Sequence, residues 1–251
     1  MISWSRKRRL IYASSVLIIA LGSVVAFIIV FVYKAPTCSD GLMNGSEQGV
    51  DCGGACTRLC ASAFLEPSVS WARFEYVSAG LYNVAAYVVN PNSEGKADRV
   101  PYRISVYDDR GSLIVEHRGL ATIPPRRSSL VFARMIDTGK RIPARALFEF
   151  TAQPDWRSAR DPLSTLVIGE KNYTEEGASS ALTVSFANSS VNALPQMSVY
   201  AILYDATDNA IGFSKTVIDS IPPKGSVLAP FTWPVNREGK VISIEVLPVA
   251  E

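Results

Sequence analysis

Cys38, Cys52, Cys56 and Cys60 are the only cysteines in a chain of 251 residues. Clustered thiols can ligate a metal, act as nucleophiles or pair, and their spacing helps to decide which. With 13, 3 and 3 residues between successive cysteines, the close C-x2-C pairs usual in zinc knuckles and ribbons are missing. An even count in a short polar stretch reads as two disulfides stapling a module too small for a hydrophobic core, with three pairings open. Within it Asp40, Asn44, Gly45 and Asp51 stand at positions 1, 5, 6 and 12 of a calcium-loop pattern, and Glu47 adds a nearby oxygen donor. Leu42 at position 3 breaks that pattern, and no helical periodicity flanks it. The same residue types make Asx-turns and positive-φ bends. Calcium coordination and turn formation are thus two alternative roles for Asp40, Asn44, Glu47 and Asp51.

Other catalytic chemistry is thinly represented. The one histidine, His117, alternates with Glu116 and Arg118 as in a half-exposed strand, which suits packing better than proton transfer. No G-x-S-x-G, H-E-x-x-H, P-loop or dinucleotide-binding glycine motif occurs. Asp108 and Asp109 are adjacent, so their side chains diverge instead of sharing a substrate. These observations argue against an enzyme and for a binding or assembly role, with no cofactor beyond the calcium alternative.

The cysteine module has to be carried somewhere, and the preceding residues say where. Ile11 to Tyr33 is an uncharged, mostly apolar run directly behind Arg6, Lys7, Arg8 and Arg9. About 20 apolar residues cross a hydrocarbon core of roughly 30 Å as a helix. Positive charge ahead of the span holds the N-terminus in the cytoplasm, so the chain beyond it is expected outside. A cleaved signal peptide has an apolar region of only about 7 to 15 residues before a small-x-small site, which this run exceeds. Ala35-Pro36-Thr37 ahead of Cys38 is unlike a lipidation site. Once the basic tail and Lys34 are set aside, 20 basic residues face 23 acidic ones. The basic isoelectric point therefore reflects topology, and nucleic acid is not an expected partner.

From Phe64 onward the chain reads as short β-strands separated by turn signals, with no helical period over a dozen residues. The expected strands are Tyr82 to Asn90, Tyr102 to Tyr107, Leu113 to His117 and Leu130 to Ala133, then Ala181 to Ala187, Val199 to Tyr204, Ile211 to Lys215, Val227 to Phe231 and Val241 to Leu247. The two series look like copies. Asn90, Tyr107-Asp108, Ile123-Pro124-Pro125-Arg126 and Phe132 in the first correspond to Asn188, Tyr204-Asp205, Ile221-Pro222-Pro223-Lys224 and Phe231 in the second. A displacement of 97 to 99 residues is a whole domain, so this is tandem duplication and not a solenoid. Each aspartate is placed to cap a hairpin turn. Each Pro-Pro pair lacks two donors and must cross between sheets.

These copies resemble the FxLYD-type, immunoglobulin-like sandwich domains of membrane-anchored bacterial and archaeal envelope proteins. Ile104-Ser-Val-Tyr-Asp108 and Ala201-Ile-Leu-Tyr-Asp205 both lack the leading aromatic of that motif. The string from Asp40 to Cys56 likewise resembles a short cysteine module found beside anchors and sandwiches in bacterial surface proteins. Both resemblances imply location and fold more than activity.

The expected organisation is mainly β: a cytoplasmic tail (1–9), a transmembrane helix (10–33), a disulfide-rich stalk (34–62), a first antiparallel immunoglobulin-like β-sandwich (63–153), a linker (154–163) and a second sandwich (164–251). The linker, bounded by prolines, reads as a semi-stiff spacer whose Trp156 could wedge between the sandwiches. Arg126 and Arg127 form a compact basic spot, expected to be a solvated turn. The partners expected are the membrane and envelope proteins. A glycan is the alternative, for which Tyr76, Tyr82, Tyr87 and Tyr102 would supply an aromatic platform.

Overall fold

The computed structural model describes residues 4–32, 35–176, 179–233 and 239–250. The chain falls into two compact units, Met1–Cys56 and Thr57–Glu251.

The first unit opens with helix α1 (Trp4–Phe27), continued by a π-helical turn over Ile28–Val32. Within Trp4–Val30 an 18-residue window has a mean hydropathy of 2.7 and no buried residue. The segment is thus long and apolar enough to cross a membrane. The basic cluster lies inside the helix's first turns, and the Arg8 guanidinium stacks 3.5 Å above the Trp4 ring. Tyr33 and Lys34, the expected end of the span, lie outside the described residues. Beyond them Cys38 is bonded to Cys56. Cys52 and Cys60 are also disulfide-bonded, and no cysteine is free.

The second unit is β-structure throughout. Its first copy runs β1 (Ser68–Ser78), β2 (Leu81–Val89), β3 (Gly95–Tyr107), β4 (Leu113–Ile123), β5 (Ser128–Asp137) and β6 (Arg145–Phe150). A short β7 (Arg157–Ser158) intervenes. The second copy runs β8 (Leu166–Glu176), β9 (Ser179–Asn188), β10 (Met197–Tyr204), β11 (Ala210–Ile218), β12 (Ser226–Trp233) and β13 (Ser243–Ala250). The first copy pairs as β1-β2-β5 and β4-β3-β6, the second as β8-β9-β12 and β11-β10-β13. Adding seven to each strand number of one copy gives the other, so the duplication seen in the residues is a duplication of topology. Four strands fall outside the expected runs: β6, the short β7, and β1 and β8, which open the copies. Charges at Arg73 and Glu75, and Gly169-Glu170-Lys171 in β8, obscure their alternation.

Each sandwich has its own core. Val84, Val88, Ile104 and Val106 fill the first, and Leu182, Val184, Phe186, Leu203 and Phe231 the second. Each such side chain contributes about 1.5–3 kcal/mol when fully buried. The Pro-Pro elements do cross between sheets, since Ile123 ends β4 and Ser128 begins β5 in the other layer. One pairing of landmarks needs correction. Phe132 opposes Ala85 and Phe231 opposes Leu182. Phe132 thus faces outward and Phe231 inward, because a one-residue slip in a strand exchanges faces. The true counterpart of Phe231 is Ala133, which opposes Val84.

The region 154–163 is not a free spacer. Leu59 N–H donates to Trp156 O at 2.8 Å, Ser158 N–H to Thr57 O at 2.8 Å and Ala159 N–H to Glu94 O at 3.0 Å, while β7 pairs with β3. Trp156 packs with Ala97, Val100 and Ile123 and stacks on Phe64 at 5.6 Å. It seals one end of the first sandwich and does not wedge between the two.

Candidate functional site

Functional side chains fall in four places: the cysteine module, the repeated turns, the joint between the sandwiches, and two surface clefts. In the module, Asp40 accepts from Leu42 N–H at 2.9 Å, Thr37 N–H at 3.1 Å and Asn44 Nδ2 at 3.0 Å. These bonds, the Asn44 amide first, hold its carboxyl below the usual value. Both Asp51 oxygens accept from Gly41 N–H at 3.0–3.1 Å, and Glu47 accepts from Asn44 N–H at 3.1 Å. Among the described residues, the group that brings three potential metal-binding atoms together is Cys38, Glu47 and Cys56, and its sulfurs are already joined to each other. The oxygens of Asp40, Glu47 and Asp51 serve turns and do not converge. Gly54 at φ +61 is needed for the same folding, since a Cβ there would collide with Ser46 O.

The two Tyr-Asp turns behave alike. Asp108 accepts from Arg110 N–H at 3.1 Å and Ser112 N–H at 2.8 Å; Asp205 accepts from Thr207 N–H at 2.8 Å and Asn209 N–H at 2.9 Å. Both are Asx-capped hairpins. Arg141 holds the Asp108 carboxyl below its ordinary value, and the Asn209 N–H does so for Asp205. The conserved geometry extends to a buried asparagine in each copy. Asn90 Nδ2 donates to Pro124 O at 2.7 Å and Gly95 O at 2.8 Å; Asn188 Nδ2 donates to Asn192 O at 2.8 Å and to Ile221 O and Pro222 O at 3.1 Å. These amides tie each Pro-Pro crossing to the end of the neighbouring strand. Arg126 and Lys224 just beyond it both adopt φ near +57°. Asn188 is 2% exposed, so its amide is committed to packing.

A joint between the sandwiches emerges that sequence reading missed. The outer face of β1-β2-β5 packs on the outer face of β11-β10-β13 through Ala85, Leu130, Ile202, Ala210 and Phe213, flanked by Trp71, Tyr87, Phe132, Tyr200, Tyr204 and Leu247. Trp71 stacks on Phe213 at 5.7 Å. Tyr87 and Tyr204 hydroxyls donate to the two oxygens of Glu245 at 2.8 and 2.9 Å. Burial first, then the neighbouring carboxylate, pushes the Tyr204 phenol upward, and burial does the same to Tyr87, so both stay protonated donors at neutral pH. Glu75, buried, accepts from Asn83 Nδ2 at 3.3 Å and from Phe213 N–H at 3.4 Å across the joint. Arg127 pairs with Asp161 at 2.6 Å and donates to Leu163 O at 3.0 Å. It is a strap to the second copy and not part of a free basic spot. Arg126 stays exposed.

Two of the surface clefts carry aromatic or basic side chains. One of about 400 Å³ lies between Phe64, Glu66, Phe150, Gln153 and Trp156. The other, about 500 Å³, opens beside the joint between Lys96, Arg99, Tyr102, Tyr200 and Lys215. Lys96 is ion-paired with Asp98 at 3.1 Å, and Lys215 sits 5.6 Å above the Tyr200 ring. Ser93-Glu94-Gly95-Lys96 has the S-x-x-K spacing, but it leads into a strand and its lysine is held by that ion pair. His117 is half-buried beside Tyr102, at a ring separation of 6.2 Å. Of the tyrosines considered for an aromatic platform, Tyr82 and Tyr102 are buried and Tyr87 belongs to the joint, leaving Tyr76 exposed.

Comparison with known protein families and with curated proteins finds no match to this chain. Among solved structures, red sea bream transglutaminase aligns with 74% of this chain and 31% of its own length, at 15% identity and a TM-score of 0.25. The chain spans under a third of that protein, and a likeness at this level carries no argument about fold or activity.

Proposed function

We propose that this chain is a single-pass, membrane-anchored protein whose disulfide module and paired immunoglobulin-like sandwiches act outside the cytoplasm as a non-catalytic binding or assembly device of the cell envelope. One observation carries the reading: the polar residues that could do chemistry are spent on architecture. Asp108 and Asp205 cap turns, Asn90 and Asn188 clamp crossings, and Glu75 and Glu245 fasten the joint. Disulfides persist in oxidising compartments, which favours an extracytoplasmic setting, and the basic residues before the helix favour an inward N-terminus. What remains for function is surface: sheet faces, edges and end loops, the features with which sandwiches meet other proteins.

Crosslinking on intact cells, with and without residues 64–251, tests this. Specific protein adducts lost with that segment support it, and an unchanged adduct set overturns it. A second reading, an accessory binder of glycan or envelope polymer, rests on the aromatic cleft at Phe64, Phe150 and Trp156. Retained polymer fragments in place of protein adducts would favour it.

A further inference from the structure

β4 and β5 each end their sheet and approach one another along one side of the first sandwich, as β11 and β12 do in the second. In the second copy that side is stitched: Ser214 Oγ donates to Thr232 O at 3.0 Å, and Thr216 Oγ to Pro230 O. Register puts His117 and Gly119 at the equivalent positions of β4, where no hydroxyl is available, and Phe132 and Arg134 at those of β5. Among the described residues no β4 side chain bonds to β5. The side is instead the mouth of the cleft of about 500 Å³, with β10, β11 and β13 of the second copy forming its other wall. That volume lies within the usual range for small-molecule sites.

Three features of the cleft suit a ligand. Ser129 lines it and is 3% exposed, yet among the described residues its hydroxyl has no hydrogen-bond partner. A buried hydroxyl left in that state is unfavourable, and a ligand seated in the cleft would satisfy it. Arg99 stands in a bulge of β3, where Asp98 and Arg99 are inserted between the pairs Ala97–Ile123 and Val100–Ala121, and it takes φ +54°. That backbone is uncommon for a residue other than glycine, and a bulge of this kind re-aims a side chain, here to the exposed rim of the cleft. Tyr102 lies across Gly119, where a Cβ would collide with the phenolic oxygen. The missing side chain thus lets the Tyr102 hydroxyl reach the β4 wall, and burial pushes its phenol upward, keeping it a donor at neutral pH.

We propose that this cleft binds a small acidic saccharide, its carboxylate or phosphate held at the rim by Arg99 and its hydroxyls bonded by Tyr102, Thr122 and Ser129. Lys96, Arg99 and Lys215 outnumber Asp98, the acid among the described lining residues, so the rim favours an anion over a cation. Lys96 is paired with Asp98, whereas Arg99 makes no ion pair among the described residues, and a guanidinium can take a carboxylate or phosphate with two parallel hydrogen bonds. Hydroxyl groups deeper in the cleft match a ligand that carries hydroxyls, and the half-buried Phe132 offers an apolar surface to a ring face. The site is separate from the cleft at Phe64, Phe150 and Trp156, and it goes beyond the assembly role without resting on it.

The test is titration calorimetry on the full chain in detergent micelles, with digalacturonate, glucose 1-phosphate, cellobiose and inorganic phosphate as probes. At least one acidic sugar should bind, and which one binds separates a carboxylate from a phosphate ligand. Cellobiose should bind at least about tenfold more weakly, and Arg99→Ser should weaken the acidic sugar by about tenfold, as expected for one lost charge-assisted hydrogen bond. Ser129→Ala should also weaken it while leaving the melting temperature unchanged or higher, because the hydroxyl removed has no partner in the fold. Arg126→Ser should keep wild-type binding, since Arg126 is an exposed arginine with a similar φ of +57° that does not line the cleft. Failure of both acidic sugars to bind at millimolar concentration, or wild-type affinity in Arg99→Ser, overturns the proposal. So does binding of cellobiose, or of inorganic phosphate alone, as tight as that of the acidic sugars.

Discussion

Phe213→Ala should uncouple the sandwiches without emptying either core. The side chain is 2% exposed, stacks on Trp71 at 5.7 Å and meets Phe132 edge-on at 6.5 Å. It belongs to the joint and not to the cluster inside the second sandwich. Truncating a buried phenylalanine costs about 3–5 kcal/mol, and the two ring contacts are part of that loss, at about 0.5–1.5 kcal/mol each. The whole amount falls on the joint. At about 1.4 kcal/mol per tenfold, a loss of about 4 kcal/mol weakens coupling by roughly a thousandfold. Calorimetry on the full chain in micelles should show coincident melting of both sandwiches in the wild type and two resolved transitions in the variant. Hydrogen exchange should rise in β2 and β10, which are buried on both faces only while the joint is closed. A single transition displaced by less than about 1 kcal/mol would refute the joint as a coupling element.

Asn188→Ala removes one donor from the carbonyls of Asn192, Ile221 and Pro222, which keep Ser190 Oγ, Leu194 N–H and Gly225 N–H, and leaves Ser190 N–H without the Asn188 acceptor. At about 1–3 kcal/mol for a lost partner of this kind, a loss of about 2 kcal/mol is expected in urea titrations, and a loss near zero would show that the clamp adds no stability. Asp205→Asn keeps the Asx turn and removes its charge. The folded carboxyl titrates below 3.8, so its contribution is complete above the unfolded value and vanishes as pH falls through the lowered folded one. The wild-type melting temperature should therefore drop more steeply below about pH 4 than that of the variant, and parallel curves would contradict this. Reduction should open the segment closed by Cys38–Cys56 to protease while the β-signal of the sandwiches persists; simultaneous loss of both would show that the sandwiches depend on the staple.

How much of this could be read from residues follows from what each signal depends on. Turn chemistry is local, so Asp108, Asp205 and both Pro-Pro crossings appear where the sequence places them. The disulfides were expected as a pair, but the bond between Cys38 and Cys56 depends on the path of the loop and not on spacing. The joint was missed although a signal for it exists. β2 (Leu-Tyr-Asn-Val-Ala-Ala-Tyr-Val-Val) and β10 (Met-Ser-Val-Tyr-Ala-Ile-Leu-Tyr) are nearly unbroken apolar runs, whereas β9 alternates Ala-Leu-Thr-Val-Ser-Phe. Such runs mark strands covered on both faces, and comparing equivalent strands of the two copies would have found them. Glu75 and Glu245 could not have been found in this way, because exposed and buried carboxylates look the same in a sequence.

The divergence of the two copies changes one of the two faces that repeated stacking would need. A sandwich that docks one outer face on the other outer face of its neighbour makes a heterologous contact, and repeated identically such contacts build fibres. In the second copy the receiving face presents Tyr200, Ile202, Phe213 and Leu247. Register places Arg103, Ser105, Glu116 and Glu149 at the same four positions of the first copy. There the side chains neutralise one another: Arg103 reaches both glutamates, and Arg118 shares Glu116. Exposed pairs of this kind add little stability, but stripping them of water against an uncharged sheet would be costly. The network therefore works against a third sandwich more than for its own fold. Stacking of a further sandwich on the β4-β3-β6 face is thereby opposed.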